Sequence, residues 1–201
     1  MFDLITSIVE SAGYAGIAFL MLLENIFPPI PSEIIMPLAG FAAARGDLNL
    51  FLVVAAGTLG SMAGGLFWFY AGWWLGRERL KRLAARYGRW MTVGPAEIDG
   101  AAEWFSRHSG KSVLIGRVIP AVRTLISVPA GVTRMPLSKF LAYSSLGTSA
   151  WTGLLAGAGF FMGEEYEKTA EWMNPASNIV IGVVLVFYLY RVVTFRRKSV
   201  D

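Results

Sequence analysis

The chain has 201 residues, of which 55% are hydrophobic and only 16% charged, with a net charge of +4 and a mean hydropathy of +0.52. A soluble domain carries about a quarter charged residues, so this balance points to an all-α polytopic membrane protein, with one membrane domain over residues 1–201. With no Cys, disulfides, thiolate chemistry and thiolate-metal sites are excluded; the single His argues against a His-based metal site or a His-dependent triad, and no metal or other cofactor is expected.

The first residues, MFDLITSIVESAG, precede any Lys or Arg, the first of which is Arg45. They lack the basic start of a cleaved signal and read as a short amphipathic lead-in. Residues 13–44 follow, an apolar stretch broken at its centre by ENIFPPIPSE (24–33). Its apolar arms are half of the roughly 20 residues that a crossing requires. Pro28, Pro29 and Pro31 each lack a backbone donor and clash with the preceding turn, so no continuous helix runs through them. Broken backbone at membrane depth is tolerated where protein buries it or where it lines a wet cavity. The stretch is therefore expected to be a re-entrant helical hairpin.

Residues 48–76 contain no charge and read as a full span. Residues 77–109 open with Arg77, Arg79, Lys81, Arg82, Arg86 and Arg89. Leu80, Leu83, Tyr87 and Trp90 recur there at helical spacing, as in an amphipathic segment on an anionic bilayer surface. Residues 110–136, GKSVLIGRVIPAVRTLISVPAGVTRMP, are apolar and broken at Pro120 and Pro129, which predicts a second re-entrant hairpin. Residues 140–163 and 177–193 read as two further spans, separated by the acidic EEYEKTAEWMN and followed by Arg191, Arg196, Arg197 and Lys198. Basic flanks stay in the cytoplasm, so segment 77–109 and the C-terminus are expected inside and the acidic loop outside. The net charge is thus a topology signal, and nucleic-acid binding has no further support. On this topology the first hairpin enters from outside and the second from inside, so the two are opposed.

An internal repeat accompanies this topology. PLAG, ending at Gly40, matches VPAG, ending at Gly131. Each precedes a span carrying GTLGS (57–61) or LGTS (146–149) and closing on Gly76 or Gly163. Residues 13–76 and 110–163 thereby form an inverted-topology repeat, the pattern of transporters whose site lies at the repeat interface. The expected tips contain Asn25, Pro28, Pro31 and Pro120, with Gly40 and Gly131 beyond them.

Glu24 and Glu33 flank the first break; Arg117 and Arg123 flank the second. An ionised residue at mid-membrane costs at least about 2.5–3.5 kcal/mol on insertion scales, so the four must pair or face water. One reading is a pair of salt bridges that pins the hairpins tip to tip. The other is a polar chamber in which the guanidinium groups bind an anion, bidentate phosphate above all, while the carboxylates balance charge and can take protons. His108 reads as a solvated interfacial residue, with a proton relay as the alternative.

E-N-x-x-P-P-x-P-x-E, the PLAGF after it, and G-R-x-x-P-x-x-R-T with P-A-G in the second hairpin together resemble the DedA family of bacterial inner-membrane proteins, over residues 13–163. The resemblance implies two opposed re-entrant hairpins in a multi-pass helical fold, beside the about three full transmembrane helices that the apolar segments predict. It implies translocation of a lipid substrate, undecaprenyl phosphate, across the cytoplasmic membrane, and a functional role for Glu24 with Glu33 and Arg117 with Arg123. The alternatives are a general phospholipid scramblase and a proton-coupled exporter of small ions or drugs. An enzyme is not expected, since a lipid-phosphate phosphatase with a His nucleophile needs at least two histidines. A homo-oligomer is compatible with the chain, but nothing in the sequence encodes one.

Overall fold

The structure, a computed structural model, describes residues 2–27, 32–91, 95–119 and 122–162. These fold into six helices: α1 (Phe2–Ile26), α2 (Ser32–Ala44), α3 (Leu50–Met91), α4 (Pro95–Val118), α5 (Ser127–Val132) and α6 (Leu137–Met162). The prolines at 28, 29, 31 and 120, the acidic loop and the span at 177–193 lie outside the described residues.

The lead-in and the first arm form one helix, α1, bent at Gly13, where φ is +53°. This left-handed value is open to glycine without a Cβ penalty. Past the bend, Tyr14 Oη accepts a hydrogen bond from the Asn49 amide at 2.8 Å, so the arm starts level with the start of α3. From there α1 and α3 advance together. Methyl groups at Gly60 and Gly64 would come within 2.1 Å of the Ala18 carbonyl oxygen and 2.9 Å of that of Leu22, and Trp68 Nε1 donates to the Asn25 carbonyl at 2.9 Å. The chain therefore turns back through α2 in between. With 13 residues, α2 is about 20 Å long, short of the ~30 Å hydrocarbon core of a bilayer.

The same arrangement occurs in the second half. Helix α4 is bent at His108 (φ −128°, ψ 22°), and beyond the bend it advances alongside α6. Gly110 abuts the Tyr143 ring, and Gly147 abuts Leu114 and Arg117. The returning arm, α5, has only six residues and is preceded by turns over 122–126. Helices α3 and α6 run in opposite senses, because Thr58 meets Thr152 at 3.1 Å while Gly65 and Gly147 both contact Arg117.

Among the described residues, two helices are long and apolar enough to cross a membrane, Leu4–Ile26 and Leu50–Arg86. Both differ from the sequence reading. The first includes the lead-in, and the second runs past Gly76 into the basic segment, with φ +64° at that glycine. Helix α6, read as a span, has 26 residues but is not among the two. Its Ser and Thr residues lower its hydropathy, and Ser144, Thr148 and Thr152 are buried inward. Its outer face carries Leu146, Leu154 and Phe161, exposed like Phe51, Leu59 and Phe67 of α3. Exposed apolar stripes of this size mark a surface that meets something other than water.

The core has two parts. Ile17, Met21, Ile35, Met36 and Val53 centre one, and Phe69, Phe105, Val113 and Phe140 the other. At the basic end, Asp99 of α4 accepts from Arg77 and Lys81 of α3, each at 2.7 Å. These hydrogen bonds, Lys81 first and then Arg77, hold Asp99 below the usual aspartate range.

Candidate functional site

Where the first arm of each hairpin ends, the charged residues converge. Glu24 and Asn25 close α1, and burial leaves them 3% and 2% exposed; Arg117 near the end of α4 and Arg123 in the following turn are 2% and 6% exposed. Arg123 Nη2 donates to Glu24 Oε1 in a buried salt bridge. Asn25 Nδ2 donates to Glu24 Oε2 at 3.0 Å, while Asn25 Oδ1 accepts from Arg117 Nη1 at 3.3 Å. Arg117 Nη2 donates to Ser127 Oγ at 3.0 Å. A single chain of hydrogen bonds thus runs Arg123, Glu24, Asn25, Arg117, Ser127, joining the end of α1 to α4, α5 and the turn between them.

Aromatic rings of α6 back both cations. The Arg117 guanidinium lies over Phe140 at 5.7 Å and that of Arg123 over Trp151 at 5.9 Å. Desolvated cations gain from a π face in this way. On the opposite side, α3 makes room by omission. A methyl group at Gly65 would lie 2.0 Å from Arg117 Nη2, and one at Gly64 would lie 2.5 Å from the Asn25 Cβ. The glycines of α3 here admit polar side chains as well as close helix packing.

Of the residues singled out from the sequence, Glu24, Asn25, Arg117 and Arg123 are brought together. Only one of the two expected ion pairs forms, since Arg117 makes no salt bridge among the described residues. Glu33, in the first turn of α2, is half-buried and makes no hydrogen bond or salt bridge among the described residues. Gly40 and Gly131 are not in the charged cluster. Each lies at a helix crossing, where an added methyl would come within 1.9 Å of the Ala156 or Phe69 carbonyl oxygen. Pro28, Pro31 and Pro120 fall outside the described residues.

Sequence reasoning missed Ser127, Trp68, Phe140 and Trp151. Ser127 had a signal, as a polar residue directly before the VPAG that marks the repeat. The three aromatics had none, because a Trp or Phe in an apolar span reads as packing or as part of an interfacial belt. Among the described residues, no group of three or more His, Cys, Asp or Glu could hold a metal ion.

Comparison with known proteins identifies the family of the chain. The VTT domain family matches residues 30–161. An alkaline phosphatase-like protein of Lactococcus lactis subsp. cremoris is 36% identical over 98% of this chain and 93% of its own length. Undecaprenyl phosphate transporter A of Staphylococcus aureus is 32% identical over the whole of both chains, and the Bacillus subtilis protein of that name is 30% identical over 94% of this chain and 91% of its own. No solved structure matches the chain. A match over most of the chain to the family's domain, with relatives above 30% identity along the full length, makes this protein a member of the VTT-domain family, the DedA family that its motifs resemble.

Proposed function

We propose that this protein carries a polyprenyl phosphate, undecaprenyl phosphate, across the cytoplasmic membrane of a bacterium. In this reading Arg117 and Arg123 bind the phosphate, and Glu24 and Glu33 balance its charge and take up protons. The observation that carries the proposal is the charge of the buried cluster. Among the described residues the buried charged side chains are Arg117, Arg123 and Glu24, two cations against one anion. A buried uncompensated cation is costly, and an anionic headgroup supplies the missing charge. Arg117 is the cation without a carboxylate, and its fork geometry suits a phosphate oxygen pair.

The fold supports the rest of the proposal. In each half a short arm returns between two helices that advance together, and α3 and α6 run oppositely. This arrangement supports the reading of two opposed re-entrant hairpins in an inverted repeat, with the site at the interface of the repeats. The lipid tail would stay in the bilayer beside the exposed apolar stripes while the headgroup crosses through the cluster. The names of the staphylococcal and Bacillus relatives support the cargo. Proton coupling through Glu33, inward transport and a cytoplasmic C-terminus belong to the same proposal.

The test is an exposure assay in intact cells with a probe that captures undecaprenyl phosphate on the outer leaflet. A deletion strain and a strain carrying Arg117→Ala should both accumulate outer-leaflet carrier relative to wild type. No accumulation in either would refute this cargo, and vesicle transport of labelled phosphatidylethanolamine would then test the scramblase reading. The name of the lactococcal relative favours one second reading, hydrolysis of the lipid phosphate. Release of inorganic phosphate from the lipid by the purified protein would establish it.

A further inference from the structure

Four buried donor groups near the cluster have no use in the network above. Ser61 Oγ, Ser144 Oγ, Thr148 Oγ1 and Arg117 Nε find no hydrogen-bond partner among the described residues, although the three hydroxyl residues are 2%, 0% and 5% exposed. A helical Ser or Thr can satisfy its hydroxyl on the carbonyl one turn back. Thr58 does so on Val54 at 2.7 Å, Ser112 on His108 at 2.7 Å and Thr152 on Thr148 at 2.9 Å. Ser61, Ser144 and Thr148 do not, and buried hydroxyls left this way are exceptions that call for an explanation.

Their positions supply one. On α6, Ser144 and Thr148 lie between Phe140, which backs Arg117, and Trp151, which backs Arg123, and they flank Gly147, which abuts the Arg117 Cβ. On α3, Ser61 lies one turn before Gly65, which abuts Arg117 Nη2, and so on the same face of the helix. The three hydroxyls therefore approach the arginine pair from the two long helices, whereas the network described above comes from the hairpins. Ser61 and Thr148 are also the residues that end GTLGS and lie within LGTS, and they are residues of those motifs to which the network gives no role.

We propose that Ser61, Ser144 and Thr148 are headgroup-binding residues that donate hydrogen bonds to the phosphate held by Arg117 and Arg123, and that they select a terminal phosphate over a phosphodiester. This rests on the phosphate site proposed above. Each hydroxyl can donate one hydrogen bond, and Arg117 Nε adds another. A terminal phosphomonoester has three free oxygens to receive them. A phosphodiester headgroup has two, so it leaves more of these donors unpaired, and an unpaired buried donor weighs against binding. Hydroxyls provide this discrimination without adding charge to the membrane interior.

The experiment uses the full chain purified in detergent, with geranylgeranyl monophosphate as the monoester probe and phosphatidylglycerol as the diester. Melting temperature without probe and Kd for each probe are measured for Ser61→Ala, Ser144→Ala, Thr148→Val and Thr148→Ser. Without probe the Ala and Val variants should melt at or above wild type, because each removes a buried group that has no partner. Each should bind the monoester roughly tenfold more weakly, the loss of one hydrogen bond to a charged group, and should prefer it less over the diester. Thr148→Ser should retain wild-type affinity. Unchanged monoester affinity in all three hydroxyl-removing variants, or a fall in melting temperature with affinity intact, would overturn the proposal. Arg117→Gln, measured in parallel, separates the two levels. If it keeps monoester affinity, the phosphate site itself is wrong; if it alone loses affinity, only the role of the hydroxyls fails.

Discussion

Helix α2 crosses α6 at Gly40, and α5 crosses α3 at Gly131, so closely that an added methyl would lie only 1.9 Å from a backbone oxygen in both places. On the opposing helices Gly159 and Gly72 are the reciprocal positions, where an added methyl would come within 1.9 Å and 2.4 Å of the Pro37 and Val128 carbonyl oxygens. The two seams are alike in chemistry and in tolerance. The tips beside them are opposite in charge, with a carboxylate and an amide on the first and two guanidinium groups on the second. Backbone packing is what the halves share, and the buried charges are what distinguishes them. A packing solution can be used twice; an ion pair needs unlike ends.

Three perturbations break or sharpen this comparison, and the largest effect is expected at the tips. Glu24→Gln leaves Arg123 buried without its carboxylate, and Arg123→Gln leaves Glu24 without its cation. Each should cost about 3–5 kcal/mol, read as denaturant stability in detergent, and the double variant should lose less than the two single losses added together. Additive losses would show that the pair is not coupled.

Next come the seams. Gly40→Ala and Gly131→Ala each press a methyl against a backbone oxygen that no rotamer change can move, at a cost of about 1–3 kcal/mol. Equal losses in the two halves are expected, with Gly157→Ala as the control because nothing lies within 4 Å of an added methyl there. A loss at only one seam would mean that the two crossings are not equivalent.

The smallest effect belongs to the contact between α3 and α4 outside both regions. Asp99 is held below its ordinary value by Lys81 and Arg77, so its contribution is present above the unfolded aspartate value of about 3.9 and disappears as pH falls through its lower folded value. The stability difference between wild type and Asp99→Asn should therefore be constant near neutral pH and close only in acid. A difference that changed between pH 6 and 8 would assign it to another group.

Much of the site was legible in the sequence because charge in an apolar stretch has few innocent explanations. Glu24, Arg117 and Arg123 were found that way, and Asn25 came with the proline-rich break. Helix ends were harder to read. The lead-in and first arm looked separate because Gly13 interrupts the pattern, yet a glycine at φ +53° bends α1 without ending it. Likewise the six-residue α5 was not foreseen, because the apolar run there does not reveal how many of its residues are turn.

Composition, charge and the placement of prolines by themselves determined an all-helical membrane chain with broken segments and buried charge, since these depend on transfer free energies and local backbone sterics. Only the tertiary structure decided that Arg123 takes the carboxylate, that Asn25 bridges to Arg117, and that the hydroxyls of Ser61, Ser144 and Thr148 are buried without a hydrogen-bond partner among the described residues. Which donor meets which acceptor depends on how closely α3 and α6 approach the hairpin tips. That distance is set by Gly65 and Gly147, each at least 30 residues away in the chain from the Arg117 that they admit.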